Sequence, residues 1–531
     1  MRHALHRAFL ILTAALVAWP SGSVLAQSGA PLARAAASAA AAQPAAVVRR
    51  ISMDEAVKLA LEQNLGIQIE RMNPRIQDLA VAQARSLWAP TVSSTLSNNS
   101  TTNQPNNAFS GGLTRVTDSR FSTQFGVSQV LPTGANYTLG WNSFRASSTN
   151  LFNNYDPQLA STLSLNITQP LLRNFKIDNA RQQFATSRKD RDTADLQLQS
   201  AIAATTRNVK NAYWELAYQI ASLNAAQQSL DLSRRVLGDN EKRVQIGTMA
   251  PIDIIEAQSE VARNEEAVIV AQASIERAED SLRALIMAPD SPDYWSIRLE
   301  PSEEPAFQAQ AVDVQAAVRR AVDNRLDVRT ARSNLEREDI SIEYFRNQTM
   351  PDVNASFTYS SSAVGGLQLS PVTSLNVGSI QRSVIANRSY GSVLGDVLTS
   401  TFPVWTLGVT VSYPIGASTA ETSLARARLQ YEQAQTQLRN LELQIATQVR
   451  DVARQVQTNQ KRVDTTRVAR ELAVRRLEAA EKKFAAGIES SFFVFQAQRD
   501  LSQALSNYVR AVADFNKSLV DLEAVQEAPL R

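Results

Sequence analysis

The chain has 531 residues, carries 54 basic and 51 acidic side chains for a formal charge of +3, and contains no cysteine. Its two histidines, His3 and His6, lie at the extreme N-terminus. That composition excludes disulfide frameworks, thiolate or imidazole zinc sites, His-ligated haem and nucleophiles activated by histidine, and length alone suggests roughly three or four domains.

Arg2 and Arg7 flank the start of an apolar run from Ala8 to Trp19, Pro20 and Gly22 break it, and Val24-Leu25-Ala26 ends in a small-x-small pattern. Residues 1–26 read as a secretory signal, because the run is too short to span a membrane; an apolar core helix is the competing reading. Cleavage after Ala26 leaves 52 basic against 51 acidic residues, a net charge of +1, so the basic balance gives no argument for a nucleic-acid partner. No cysteine is available for a lipoprotein anchor. Residues 27–49, rich in Ala, Pro and Gln without periodicity, read as a disordered leader.

The remainder is one plan written twice. A shift of 240 places Glu241-Lys242-Arg243-Val244-Gln245-Ile246-Gly247 on Glu481-Lys482-Lys483-Phe484-Ala485-Ala486-Gly487, and Glu256-Ala257-Gln258 on Gln496-Ala497-Gln498. A shift of 261 places Ala56-Val57 on Ala317-Val318, Leu65 on Leu326 and Pro90 on Pro351, and Pro170 corresponds to Pro414 at 244. Internal repetition of this kind identifies structural copies. The first repeat covers residues 50–287, with helices over 52–88 and 177–287 around a strand region at 90–170. The proline-rich segment 288–312 links the halves. The second repeat covers 313–527, with helices over 313–349 and 417–526 around strands at 352–416.

The helical segments are marked by what they lack. No proline lies between Pro170 and Pro251 or between Pro414 and Pro529, and Ala, Leu, Gln, Arg and Glu favour helix throughout. Apolar residues recur every seven at Ile202, Val209, Leu216, Leu223, Leu230, Leu237 and Val244, and again at Val449, Val456, Val463, Leu477 and Phe484, with Arg470 interrupting. Beyond Gly247 and Gly487 the period resumes, at Ile254, Val261, Val268, Ile275 and Leu282 and at Val494, Leu501, Tyr508, Phe515 and Leu522. Such a seam predicts coiled-coil packing. Helices over 177–245 and 417–485 would each be ~100 Å long, and 491–526 and 325–349 would span ~54 Å and ~37 Å. Two shorter helices end to end nearly match one long one, which predicts an elongated four-column bundle. Residues 52–63 and 313–323 read as short amphipathic helices, and Asn73-Pro74 leaves 64–74 open between helix and loop.

The strand windows differ in kind. Residues 91–170 hold five charged residues and 352–416 hold four. Alternating runs such as Phe121-Ser-Thr-Gln-Phe125 and Leu407-Gly-Val409-Thr-Val411 are strand grammar. Strands of about ten residues with few charges and polar loops suit a membrane β-barrel; a soluble sandwich is the competing reading. The pattern gives about four strands in the first window and two in the second. A membrane barrel needs at least about eight, and an open edge in lipid leaves unpaired backbone groups at several kcal/mol each. Several chains must therefore share one barrel if these strands span a membrane.

Taken together, these features resemble the TolC family of outer-membrane efflux and secretion channels. The residues that carry the likeness are Ser52-x-Asp54-Glu55-Ala56-x-x-x-Ala60, Trp88-Ala89-Pro90 leading helix into strand, Gln169-Pro170-Leu171-Leu172, and the stretches around Gly247 and Gly487. The resemblance covers about residues 50–527. It implies a fold of long coiled-coil helices forming a helical barrel joined to membrane β-barrel strands. It implies a homotrimer in the cell outer membrane, bounded by outer-membrane lipid and with a large periplasmic portion. The partners would be a periplasmic adaptor protein and an inner-membrane pump of RND, ABC or MFS type, for efflux or type I secretion. Conduction would be passive, with no enzyme activity, cofactor or metal and no nucleic acid. Four strands per protomer are usual for this resemblance, so the first half here carries an extra pair around the Leu131–Gly134 turn. Either the barrel has more strands, or residues 120–146 form a hairpin outside it. A periplasmic coiled-coil protein without channel activity is the alternative, but it leaves the charge-poor strand windows unexplained. A carboxylate enzyme is open in principle, but no paired acids frame a defined pocket.

The resemblance also places candidate residues. Carboxylates six positions after the tip glycines would line the periplasmic entrance. Asp253 occupies that position in the first copy and Phe493 in the second, and Gln496 stands where another carboxylate is usual. With Glu256, Glu489 and Phe492 these are the gate candidates. Packing is the plainer reading of Phe492 and Phe493, and a favourable helix-start charge that of Asp253. Gly247, Thr248 and Gly487 are candidates for the tip turns and adaptor docking, and Pro90, Pro170, Pro351 and Pro414 for the helix–strand junctions. Trp88, Trp141 and Trp405 are candidate membrane-interface aromatics, with ordinary burial as the competing reading.

Overall fold

The computed structural model describes residues 48–104, 113–291, 293–372, 382–416 and 418–526. The expected signal and residues 27–47 of the expected leader lie outside them. The first repeat contains β1 (Val48–Ile51), α1 (Met53–Gln63), α2 (Leu65–Glu70), α3 (Met72–Ser86), β2 (Thr91–Asn103), β3 (Val116–Val130), β4 (Asn136–Ser148), β5 (Tyr155–Pro170), α4 (Asn179–Gln245) and α5 (Ile252–Ile286). After β6 (Arg298–Pro301) the second contains α6 (Val314–Asn324), α7 (Leu326–Gln348), β7 (Asp352–Leu369), β8 (Val384–Arg388), α8 (Tyr390–Leu398), β9 (Pro403–Ser412), α9 (Thr419–Ala485) and α10 (Ser491–Gln526).

Both long helices have 67 residues, or ~100 Å at 1.5 Å per residue. Their starts are capped locally: the Asp178 carboxylate accepts from the Arg181 amide at 2.7 Å, and the Ser418 hydroxyl from the Glu421 amide at 3.2 Å. These bonds satisfy amides that have no partner within the helix. The expected seam is the packed one, since every heptad residue named above is buried or half-buried. Where Arg470 interrupts the apolar series, its guanidinium lies 4.4 Å from the centre of the Tyr508 ring, so the charge is held by cation–π attraction. Helix α4 packs along α5 and α3, and α9 along α10 and α7, with α4 also against α10 and α7.

The short helices break at related positions. Asn64 and Arg325, separated by the repeat shift of 261, are both extended (φ −64°, ψ 121° and φ −60°, ψ 134°). Residues 64–74, left open by the sequence, are mostly helical. Pro74 is the third residue of α3, in the first turn, where a missing N–H breaks no helical bond.

Two expectations need correction. Val48 and Arg49, placed in the disordered leader, begin β1, and the 288–312 linker contains β6; the two strands pair in parallel from Val48↔Arg298 to Ile51↔Pro301. This pair is held by its underside. Ile51 and Leu299 enter the core formed by Ala56, Val209, Tyr213, Leu216, Leu282 and Ile286. Glu279 and Arg283, whose side chains are 6% and 7% exposed, form an ion pair at 2.8 Å. Glu279 also accepts from the Leu299 amide at 2.8 Å, and Arg283 donates to the Ile297 carbonyl at 2.9 Å. The buried charges are therefore partnered, as a dry interior requires. The second correction is α8 and β8, where the sequence pattern gave only two strands. Helix α8 lies against β5 and β7 because Val393 and Val397, four residues apart on one helical face, pack on Ala363, Leu159 and Leu163. Gly365 leaves the room: a Cβ there would meet Val393 at 2.5 Å.

Candidate functional site

Apart from the β1–β6 pair, the strands of the described residues form one seven-stranded sheet in the order β2-β3-β4-β5-β7-β8, with β9 also paired to β7. Strand β9 pairs with Asp352–Ser361 and β8 with Gly366–Leu369, so both occupy one edge of β7 and the sheet has six columns. The extra β3–β4 hairpin is inside the sheet: β2 and β3 pair from Thr91↔Ser128 to Asn103↔Val116, and β4 and β5 from Asn136↔Thr168 to Ala146↔Gln158. The first window thus holds four strands.

Residues directly opposite in a ladder share a face, which lets the sheet be read row by row. One row crosses all six columns as Val92, Val127, Leu139, Leu165, Tyr359 and Trp405. The adjacent row, on the other face, runs Thr91, Ser128, Thr138, Asn166, Thr358 and Thr406. The next row on the apolar face runs Gln129, Tyr137, Ile167, Phe357 and Leu407. In these rows one face is apolar and aromatic and the other carries hydroxyls and amides; toward the far end of the strands the division is less strict, with Phe144 and Val364 on the second face and Ser143 and Ser361 on the first. Strand β2 is exposed along its whole length and β9 nearly so; they are the open edges of the sheet.

Pro90, Pro170, Pro351 and Pro414 stand where chain passes between helix and strand, with Pro170 the last residue of β5. The Arg173–Asp352 ion pair ties the two repeats together at this level. Trp88 stacks edge-on to Phe184 at 5.3 Å and accepts at its carbonyl from Gln129 at 2.7 Å, so it packs within the junction. Trp141 lies on the apolar face with its indole N–H on Ser161 at 2.8 Å, and Trp405, 68% exposed, projects from the same face.

The opposite end of the long helices carries the glycine turns. Gly247 (φ +78°) and Gly487 (φ +73°) are left-handed. The Gly247 amide donates to the Val244 carbonyl at 3.0 Å and the Thr248 amide to Arg243 at 2.9 Å; Gly487 to Phe484 at 3.0 Å and Ile488 to Lys483 at 2.9 Å repeat the pattern. This paired bonding is the Schellman motif, which needs a residue free to adopt positive φ. The Thr248 hydroxyl adds a bond to the Arg243 carbonyl at 3.0 Å. The two turns are clasped together by Arg243, whose guanidinium lies 4.3 Å from the centre of the Phe484 ring.

Around the turns the structure joins some candidates and separates others. Asp253 Oδ1 accepts from the buried Ser491 hydroxyl at 3.2 Å, linking the starts of α5 and α10. Glu489 pairs with Lys483 at 2.6 Å. Glu256 is exposed. Phe492 and Phe493 form an edge-on pair at 5.8 Å, 51% and 52% exposed; the local core is built instead from Val494, Phe495, Leu477 and Ala257. Gln496 bonds Asp500 at 3.3 Å and Arg499 at 3.2 Å. A polar cluster not anticipated from sequence lies beyond it: buried Glu260 accepts from Arg263 at 3.2 Å and from Arg499 at 3.4 Å, beside a cleft of about 640 Å³ between α4, α5 and α10. The repeat shift of 240 sets Glu260 opposite Asp500, a signal that could have drawn attention to it.

Among the described residues no helix is long and apolar enough to cross a membrane. Solved structures share the fold. The outer membrane protein VceC of Vibrio cholerae aligns at TM-score 0.61 with 17% identity, covering 90% of this chain and 97% of that one. The CmeC outer membrane channel of Campylobacter jejuni aligns at 0.60 with 14% identity, covering 89% and 85%. The open-state MtrE outer membrane channel of Neisseria gonorrhoeae aligns at 0.60 with 15% identity, covering 90% and 89%. Among curated proteins none matches the sequence significantly. The family described as outer membrane efflux protein matches residues 56–286 and 317–525, the two repeats almost end to end. The chain belongs to the outer membrane efflux protein family.

Proposed function

We propose that three copies of this chain assemble into an outer-membrane channel that passively conducts substrates delivered by a tripartite efflux or type I secretion system. The observation that carries the proposal is the six-column sheet with one apolar face, one polar face and two unpaired edges. Six strands are too few to close a membrane barrel, and lipid does not tolerate their open edges. Joining β9 of one copy to β2 of the next satisfies both edges. The apolar rows then face lipid, except where α8 covers Leu159, Leu163 and Ala363 on that face, with Trp405 and Trp141 among the aromatics near its borders, and the polar rows face water. Residues 1–26 would direct the chain across the inner membrane.

The long helices would continue the pore into the periplasm and close it at the turns. Asp253 with the Phe492–Phe493 pair would form the gate, and the half-exposed rings suit a constriction shared between copies. Glu256, Glu489 and Gln496 stand close enough in sequence and fold to modulate it. The exposed turns at Gly247, Thr248 and Gly487 are the docking points for a periplasmic adaptor, which would connect the channel to an inner-membrane pump of RND, ABC or MFS type. The test is fractionation followed by gel migration. The protein should be recovered with outer membrane, migrate as a trimer unheated and as a monomer after boiling, and retain candidate adaptors in a pull-down that Gly247 and Gly487 turn variants weaken. Recovery as a soluble monomer would overturn the proposal.

A further inference from the structure

The β3–β4 hairpin is tied into the sheet at its turn as well as along its strands. Its turn, Leu131–Ala135, is closed by the Leu131 amide on the Ala135 carbonyl at 2.7 Å and the Gly134 amide on Leu131 at 2.9 Å. Gly134 (φ +84°) sits so close to the β5–α4 junction that a Cβ would lie 2.6 Å from the Asn174 carbonyl. Gln169 donates to the Thr133 carbonyl at 3.3 Å, Gln129 to the Trp88 carbonyl at 2.7 Å, and Tyr137 to Gln129 at 2.8 Å. The turn is therefore fastened at the level where the other strands leave their helices. The hairpin also continues the two-faced pattern, with Phe125 and Trp141 on the apolar face and Gln124 and Asn142 on the polar one.

We propose that this hairpin is a pore-widening insertion, so that the shared barrel has eighteen strands and its outer mouth admits hydrophilic cargo too wide for a twelve-stranded barrel. The inference rests on the three-copy reading above. With strands ~4.8 Å apart and tilted ~40°, eighteen strands enclose a backbone cylinder of about 36 Å and twelve of about 24 Å. Side chains reaching ~5 Å inward leave free widths of about 26 Å and 14 Å. The lumen face bears few charges; Arg120, one of them, lies 3.7 Å from the centre of the Phe144 ring on the same face. Such a wall selects by width rather than charge. Because β2 runs away from the helices and β5 returns, removing the hairpin keeps both ends of the window on the same side and preserves topology.

The experiment uses the full chain, whose lack of cysteine gives a clean background. A single cysteine at Ser362→Cys, an exposed position on the polar face of β7, is challenged from outside with maleimide-linked polyethylene glycols of rising size. A reagent about 20 Å across, between the two free widths, should label Ser362→Cys in the full-length channel. The same reagent should fail in a variant lacking residues 113–148, while a small maleimide labels both. Exclusion of the large reagent from the full-length channel, with the small one entering, overturns the widening and leaves the channel reading standing. Failure of even the small reagent overturns both. Should the shortened variant not assemble, a strand count of the full-length trimer by electron cryo-microscopy decides: eighteen supports the inference, and twelve with β3–β4 outside the wall overturns it.

Discussion

Leu407 and Thr406 are neighbours in β9 that the sheet sends to opposite faces, Leu407 beside Phe357 and Thr406 beside Thr358. Strand β9 has ten residues, which at 3.3 Å per residue and ~40° tilt span about 25 Å, the height of an outer-membrane apolar band. Leu407 is near the middle of that span, where an arginine facing lipid costs about 2–4 kcal/mol. Leu407→Arg should therefore lower the folding equilibrium of each protomer by roughly 30- to 700-fold, and every copy in the barrel carries the change. Thr406→Arg places the same charge in water and should leave stability within about 0.5 kcal/mol. The assay is urea unfolding of protein refolded into lipid vesicles, read by the gel shift between folded and unfolded forms. Leu407→Arg should lower the midpoint clearly and Thr406→Arg should not. Equal effects, or a larger one for Thr406→Arg, would refute the assignment of faces.

Three further outcomes follow from the tip and the helical body. Gly487→Ala adds a Cβ that meets nothing within 4 Å, so its cost is the left-handed backbone alone, about 1–2 kcal/mol; thermal melting followed by circular dichroism should show it, with Gly247→Ala alike, and an unchanged melt would mean the turns relax freely. At the gate, Phe493→Ala should raise closed-state conductance, and block by trivalent cations should depend mainly on Asp253 or Glu489; unchanged single-channel current in both kinds of variant sinks the gate. Burial pushes the Glu215 carboxyl up, but the hydrogen bond and charge of Lys517 outweigh it, with help from Gln219 and Arg510, and hold it below the usual glutamate value. The α4–α10 contact made by this pair is therefore fully present above that usual value and lost as pH falls through the lowered one. Lys517→Met should flatten the acid limb of a stability-against-pH curve, and an identical limb would exclude this pair from acid sensitivity.

Much of the helical frame was legible because coiled coils write their packing into sequence. The heptad positions, the proline gaps and the two glycines mark α4, α5, α9 and α10, and the repeat shift of 240 sets one tip on the other. The extra hairpin announced itself through Leu131-Pro132-Thr133-Gly134, but its place in the sheet depends on pairing partners that alternation does not name. Val48–Ile51 was missed because four residues carry too little pattern and its partner lies 250 positions away. Helix α8 contains Gly391 and Gly395, poor helix formers, within a window that reads as strands; it forms because Val393 and Val397 find the gap over Gly365. At the tip, the turns were readable and the Asp253–Ser491 bond was not, since its partners are 238 residues apart and a serine at a helix start ordinarily signals only a cap.

The most direct test of the shared channel is the ion current through protein that migrates as a trimer before heating. Reconstituted into a planar lipid bilayer, it should give single-channel steps of one size that disappear once the sample has been boiled to monomers. Protein that stays monomeric without heating and inserts without conducting would contradict the account.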